Sequence, residues 1–224
     1  MKLKFTTMYS LSEENYLKSI YHLQKQFPKG VNTNALAEQL ETKASSVTDM
    51  IKKLSDKKLA VYKKYKGVRL SEEGQKTALE IIRKHRLWEV FLVEKLNFNW
   101  DEVHEVAEQL EHIKSSKLIF ELEKYLDYPT RDPHGDPIPD ANGHFKVTNK
   151  IALNELKPGQ TGVLVGVKDT SSSFLQYLDK YNISLGNTIK VLSKEEFDGA
   201  MQIQIKDTHL TLSALVTSNI YIKI

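Results

Sequence analysis

Apolar positions recur at helical spacing from Leu11 to Tyr128 and then give way to alternation from Ile151 to the end, so the chain reads as helices followed by short strands. In residues 11–27, Leu11, Tyr16, Ile20, Leu23 and Phe27 fall on one helical stripe, with Ser12 placed to cap it and Pro28, Gly30 and Asn32 ending it. A short helix over 33–40 turns Leu36, Ala37 and Leu40 inward. After the break at Glu41, Thr42 and Lys43, a second helix carries Val47, Met50, Ile51 and Leu54. Two short helices across a tight turn form the helix-turn-helix pattern.

Residues 59–70 read as two strands around Lys64–Gly67, a wing. Ser71 opens a long helix whose apolar positions Ala78, Ile81, Ile82, Leu87, Trp88, Phe91, Leu92 and Leu96 are too widely spread for one neighbour, which suits dimerisation. Asn99 with Glu102 resembles a capping box and predicts a helix from just before Asp101; another follows over 115–128. Residues 130–145, with neighbouring Pro129, hold four of the six prolines and read as a rigid irregular linker. Beyond it, turn-split alternating segments and one helix at 173–181 predict a small β-barrel as a separate domain. The fold class is therefore α+β multidomain, with boundaries expected at 1–70, 71–144 and 145–224.

Composition adds little: 224 residues, 40% hydrophobic, 27% charged and a formal net charge of +3 describe an ordinary soluble chain. The lack of cysteine removes disulfides, thiolate metal sites and cysteine nucleophiles, and fits a reducing cytoplasm. The opening ten residues lack the apolar core of a signal peptide, and no run is long enough to span a membrane.

Charge distribution says more. From Lys52 to Arg69 there are eight cations against one acid, Asp56, on the two elements that would meet a DNA duplex. The second helix of the pair offers Ser45, Ser46, Thr48, Asp49, Lys52 and Lys53 on its free face, and the wing adds Lys63, Lys64 and Lys66. Short polar groups at the start of a recognition helix reach bases and phosphates, and the lysines supply the electrostatic footprint.

The second chemical signal is the stretch His104–His112. At roughly 100° per residue, His104, Glu108, Glu111 and His112 fall within an arc of about 100°. Such a stripe is also what a solvated face presents, but Ala107 and Leu110 border it, as at a half-buried polar site. Upstream, His85 and Glu89 are spaced i and i+4. Imidazole and carboxylate on two helices suit Mn²⁺, Fe²⁺, Co²⁺ or Zn²⁺. Helix-borne Glu and His also build metalloenzymes, and a metal-independent winged-helix regulator is a third reading. Without HExxH, a phosphate loop or a serine nucleophile motif, and with the basic footprint present, a non-enzymatic regulator is favoured.

SSVTDM in the recognition helix, VYKKYKGVRLSEEG in the wing, RKHRLWE, HEVAEQLEH and PHGDPIP, in this order, resemble the diphtheria toxin repressor and manganese transport regulator family over nearly the whole chain. The resemblance implies a homodimeric, metal-activated repressor of metal homeostasis that binds double-stranded operator DNA and takes no small-molecule substrate besides its ion. It implies an SH3-like C-terminal domain similar to ferrous-transport accessory domains. It places the primary regulatory metal on Glu108, Glu111 and His112, with the family's N-terminal ligand at Asn15. Asn15 offers only a neutral carbonyl oxygen, with Glu14 beside it as the alternative. Lys18 stands where manganese regulators carry another carboxylate. The ancillary site implied uses His85 and Glu89, with either His104 or the set Asp132, His134 and Asp169. Ligands that are all oxygen and nitrogen point to Mn²⁺ before Fe²⁺, while Zn²⁺ and Co²⁺ are expected to bind in vitro.

Overall fold

A computed structural model describes residues 9–146 and 149–224; the opening segment through residue 8, which bears on the signal-peptide expectation, lies outside the described residues. The chain divides into two compact units. One runs through His85 and adds Leu110–Lys114 and Pro139–His144; the other takes Arg86–Gln109, Ser115–Ile138 and Phe145–Ile224.

The first unit opens with α1 (Leu11–Leu23). Its cap is Ser10 rather than Ser12: Ser10 Oγ accepts from Glu13 N, and Glu13 Oε2 accepts from Ser10 N at 2.8 Å. The helix also stops at Leu23, four residues short of Phe27, where turns take over. α2 (Thr33–Gln39) is capped by Asn32, and α3 (Ala44–Asp56) follows as the second helix of the pair. β1 (Ala60–Lys63) and β2 (Gly67–Leu70) pair antiparallel, and Val31 bridges to Val68. Gly30 is required there: at φ +136°, a Cβ would lie 2.1 Å from Lys66 O. Leu17, Ile20, Leu36, Val47, Leu54 and Val68 are fully buried and tie these elements into one core. Burying six such side chains is worth roughly 10 kcal/mol or more of transfer free energy.

α4 (Glu72–Leu96) begins after Ser71, whose Oγ accepts from Gly74 N. Its apolar excess is largely absorbed within the chain, since Ala78, Ile81, Ile82, Leu87, Trp88 and Leu92 are buried. α5 (Val103–Leu110) is shorter than the sequence suggests. Asn99 N does donate to Glu102 Oε1, but residues 100–102 are turn, and the helix stops before Glu111 and His112. α6 (Ser116–Tyr125), capped by Ser115, carries the exposed apolar residues Leu118, Phe120 and Tyr125.

The prolyl segment at 130–145 holds its irregular shape through its own hydrogen bonds. Asp132 Oδ1 accepts from the backbone N–H of His134 and of Asp136, and Arg131 bridges to Pro137. After it come β3 (Ile151–Ala152), β4 (Thr161–Val167), α7 (Ser172–Lys180), β5 (Thr188–Lys194), β6 (Met201–Ile205), β7 (Thr208–Leu212), α8 (Ala214–Ser218) and β8 (Ile220–Lys223). The five-residue α8 has no counterpart in the sequence expectation. The six strands form one antiparallel sheet in the order β3-β8-β4-β5-β6-β7. Alternation puts Leu164, Ile189, Val191, Met201, Ile203, Ile220 and Ile222 in its core.

Candidate metal centre and nucleic-acid interface

The helix-turn-helix leaves Ser45, Ser46, Thr48, Asp49, Lys52 and Lys53 exposed on α3 because Val47, Ile51 and Leu54 take its buried face. Four of these polar groups already have local partners. Thr48 Oγ1 donates to Ala44 O, Asp49 lies 3.6 Å from Lys52 Nζ, and Lys53 Nζ lies 3.2 Å from the buried Glu13. Lys57 approaches the same Glu13 oxygen at 2.6 Å. Burial raises the Glu13 pKa, but the two lysines and the Ser10 N–H outweigh it and hold the carboxyl down at about 2. Lys63, Lys64 and Lys66 are exposed on the wing, beside Tyr65, which is 92% exposed. A groove of about 960 Å³ runs here, lined in part by Lys29, Tyr62, Lys63, Lys66 and Arg69.

The first metal-type cluster lies in the first unit, where α1 meets residues 111 and 112. Glu111 is fully buried. Its Oε2 accepts from Lys18 Nζ at 2.6 Å and lies 2.5 Å from His85 Nδ1, while its Oε1 has no hydrogen-bond partner among the described residues and lies 3.9 Å from His112 Nε2. His112 Nδ1 donates to Glu14 Oε2 at 2.6 Å, so Nε2 is the nitrogen with a lone pair to offer. Asn15 Oδ1 is a second buried acceptor with no hydrogen-bond partner among the described residues. Orphaned acceptors of this kind cost about 1–3 kcal/mol each unless something satisfies them. They fit a hard cation.

Glu108 is half-buried on α5, one helical turn before Glu111 in the chain but within the second unit.

The second cluster lies within the second unit: Glu89, Asp132 and His134 are all buried, and their ligand-type atoms lie within 4.8 Å of one another. Glu89 faces two imidazoles, His134 Nδ1 at 3.8 Å from one oxygen and His104 Nδ1 at 3.6 Å from the other. One imidazole from each implied version of the ancillary site, His104 and His134, therefore faces Glu89. His134 Nε2 donates to Trp100 O at 2.7 Å, and its ring stacks on Trp100. Burial lowers the His134 pKa, but Glu89, by hydrogen bond and charge, and Asp132 push it up to about 9. Burial and then the Glu89 charge raise Asp132 to about 7, against the pull of Arg86. Asp169 is half-buried and accepts from Ser171 N.

Three segments match family models in sequence. Residues 8–68 match the N-terminal DNA-binding domain of iron-dependent repressors, 71–140 their metal-binding and dimerisation domain, and 151–224 the FeoA domain. A manganese-dependent transcriptional repressor solved in complex with manganese is 34% identical, over 94% of this chain and 98% of that one, with a TM-score of 0.81. The chain belongs to the diphtheria toxin repressor and manganese transport regulator family of metal-dependent transcriptional repressors. Another solved member, ScaR with bound Zn²⁺, is 31% identical over 94% of this chain and 98% of its own, with a TM-score of 0.74. The iron-dependent repressor IdeR of Mycobacterium bovis is 32% identical over 126 residues, 56% of this chain; the match spans 54% of that curated relative's length.

Two residues of this family member were not singled out from its sequence. Arg86 sits between His85 and Glu89 on α4, and its guanidinium reaches Asp132 at 3.2 Å, Asp136 at 3.1 Å and the carbonyl of Pro137, clamping the loop that carries His134. Gly135 completes that clamp: at φ +85°, a Cβ would lie 2.1 Å from Val165 O in β4. Trp100 is the other, a platform for His134 whose Nε1 donates to Asp179 of α7. RKHRLWE showed the Arg in a ligand-bearing stretch; nothing local marked Trp100. No helix among the described residues is long and apolar enough to cross a membrane.

Proposed function

We propose that this protein is a cytoplasmic, homodimeric repressor of metal-homeostasis genes that binds operator DNA when Mn²⁺, or alternatively Fe²⁺, occupies a site made by Glu108, Glu111, His112 and Asn15. It acts as a regulator and not as an enzyme. The observation that carries this reading is the Glu111 carboxylate, buried with one oxygen unsatisfied toward His112 Nε2. Glu14 fixes His112 through Nδ1, the carboxylate–imidazole arrangement that orients histidine ligands, so Asn15 rather than Glu14 is the N-terminal ligand. Glu89, Asp132 and His134, with His104 near Glu89, form the ancillary site; His85 and Asp169 are the further ligands that the family resemblance implies. The donors are oxygen and nitrogen throughout, which supports manganese over softer-ligand metals; Zn²⁺ and Co²⁺ bind in vitro by affinity order.

When bound, the ion supplies positive charge against the buried carboxylates. The residues do the rest: Glu111 and His112 are held to α1, which packs directly on the helix-turn-helix, and the orientation of α3 follows. Ser45, Ser46, Thr48 and Asp49 then read bases while Lys52, Lys53, Lys63, Lys64 and Lys66 neutralise phosphates. Leu118, Phe120 and Tyr125 of α6 supply apolar surface for the second subunit. The parts that divide this work are 1–70, 71–144 and 145–224.

A metal-to-operator coupling of about 1–3 kcal/mol corresponds to a roughly 5- to 150-fold gain in affinity. Gel shifts with Mn²⁺ and with chelator test it. Wild-type protein shifts operator DNA only with metal, and Glu111→Ala or His112→Ala loses that dependence. A variant that still needed metal in the same way would overturn the ligand assignment.

A further inference from the structure

The two oxygens of Glu111 have different surroundings. Oε1 is unsatisfied toward His112, whereas Oε2 accepts from Lys18 Nζ at 2.6 Å, and the same ammonium lies 3.3 Å from His85 Nδ1. The Lys18 side chain is only 13% exposed, that of His85 7% and that of Glu111 not at all. A lysine ammonium is a compact point charge on a flexible stem, able to sit among oxygen and nitrogen ligands much as a metal ion does.

We propose that Lys18 is a permanent internal cation of the regulatory site: its ammonium fills the place between Glu111 Oε2 and His85, and so limits this cluster to one divalent ion, on the Oε1 and His112 side. The inference rests on Glu111 and His112 being metal ligands, as proposed above. A second divalent ion is excluded because it would have to share Glu111 Oε2 and the His85 ring with a positive charge already there. The ammonium also cancels one negative charge of the ligand set. The site thus holds its single ion less tightly than an all-carboxylate version would, which raises the metal concentration at which the protein responds. In the metal-free state the same contact compensates the charge of a buried carboxylate oxygen that would otherwise have only His85 beside it.

The test uses full-length protein stripped of metal, with Mn²⁺ as the probe. Lys18→Glu removes the ammonium and offers a carboxylate beside Glu111 and His85. Elemental analysis after equilibrium dialysis is expected to find one more Mn²⁺ per protomer than in wild type; an unchanged count overturns the proposal. Lys18→Met removes the charge alone. Its metal-free melting temperature is expected to fall by about 5–10 °C, with a larger rise on adding Mn²⁺ than wild type shows. A chain that folds only with Mn²⁺ gives the same answer, and a metal-free melt equal to wild type refutes it. His112→Ala separates the two levels of argument. If it kept the wild-type Mn²⁺ response, the ligand reading would fail, while the metal-free comparison of wild type with Lys18→Met would still report on the ammonium.

Discussion

Glu14 Oε2 and His112 Nδ1 stand 2.6 Å apart across 98 residues of sequence. The pair joins the first helix of the DNA-binding part to a ligand of the proposed metal site. It also fixes the imidazole tautomer, because a carboxylate can only accept. Glu14→Ala frees the ring and exposes no new ligand. Calorimetry is expected to show Mn²⁺ affinity falling roughly 10- to 100-fold, with operator binding recovered at saturating metal. An unchanged Mn²⁺ affinity would mean that Glu14 has no part in orienting His112.

Glu13, one residue earlier, governs acid stability instead. Its pKa falls from 4.5 to about 2 in the folded chain. A carboxylate with a depressed folded pKa contributes stability that is fully present above 4.5 and lost as pH drops toward 2. The shift corresponds to about 3 kcal/mol. Denaturant melts of Glu13→Gln should therefore show a deficit of up to that size at pH 7, shrinking to nothing near pH 2. A deficit independent of pH would assign the effect to the capping box rather than to Lys53 and Lys57.

Much of this was readable from the chain. The winged helix-turn-helix was legible because its apolar residues keep strict helical and alternating periods. Imidazole and carboxylate at helical spacing are chemically distinctive too, and they mark Glu89, Glu111 and His112 as ligands proposed above. The limits of α5 were not legible. Val103 to Ile113 continues the apolar period without a Gly or Pro, so nothing local says that the helix stops at Leu110 and leaves Glu111 and His112 in a turn. Nor were the partners of Lys18 and Glu14, which lie 93 and 98 residues away in the chain. Periodicity reports which face is buried, and only the packed structure reports what lies opposite.

The wing makes a separate, electrostatic prediction. Lys64 and Lys66 are exposed on the turn around Tyr65, where alanine removes charge without touching the core. Each replacement should weaken operator and non-operator DNA alike and reduce the slope of log K against log salt by about 0.9. Fluorescence anisotropy across a salt series measures this. A loss confined to operator sequence would instead make these lysines base readers.

His134 and Asp132 make ion binding at the second cluster a proton-release reaction. With pKa values near 9 and 7, His134 carries a proton at neutral pH, and Asp132 does so increasingly below pH 7. A divalent ion needs both unprotonated, so binding expels about one proton at pH 8 and approaches two at pH 6. Apparent affinity should accordingly rise roughly tenfold per unit from pH 7 to 9, and more steeply below 7. The measurement is Mn²⁺ calorimetry on a His112→Ala background, which leaves this cluster to bind, in two buffers of different ionisation enthalpy. Identical heats in the two buffers would mean that no proton leaves, and His134 would then not be a ligand. Arg86 sets the size of the effect, since its guanidinium, 3.2 Å from Asp132, favours the ionised carboxylate. Arg86→Met should shift the Asp132 step upward in pH, and the two-proton regime should then extend above pH 7.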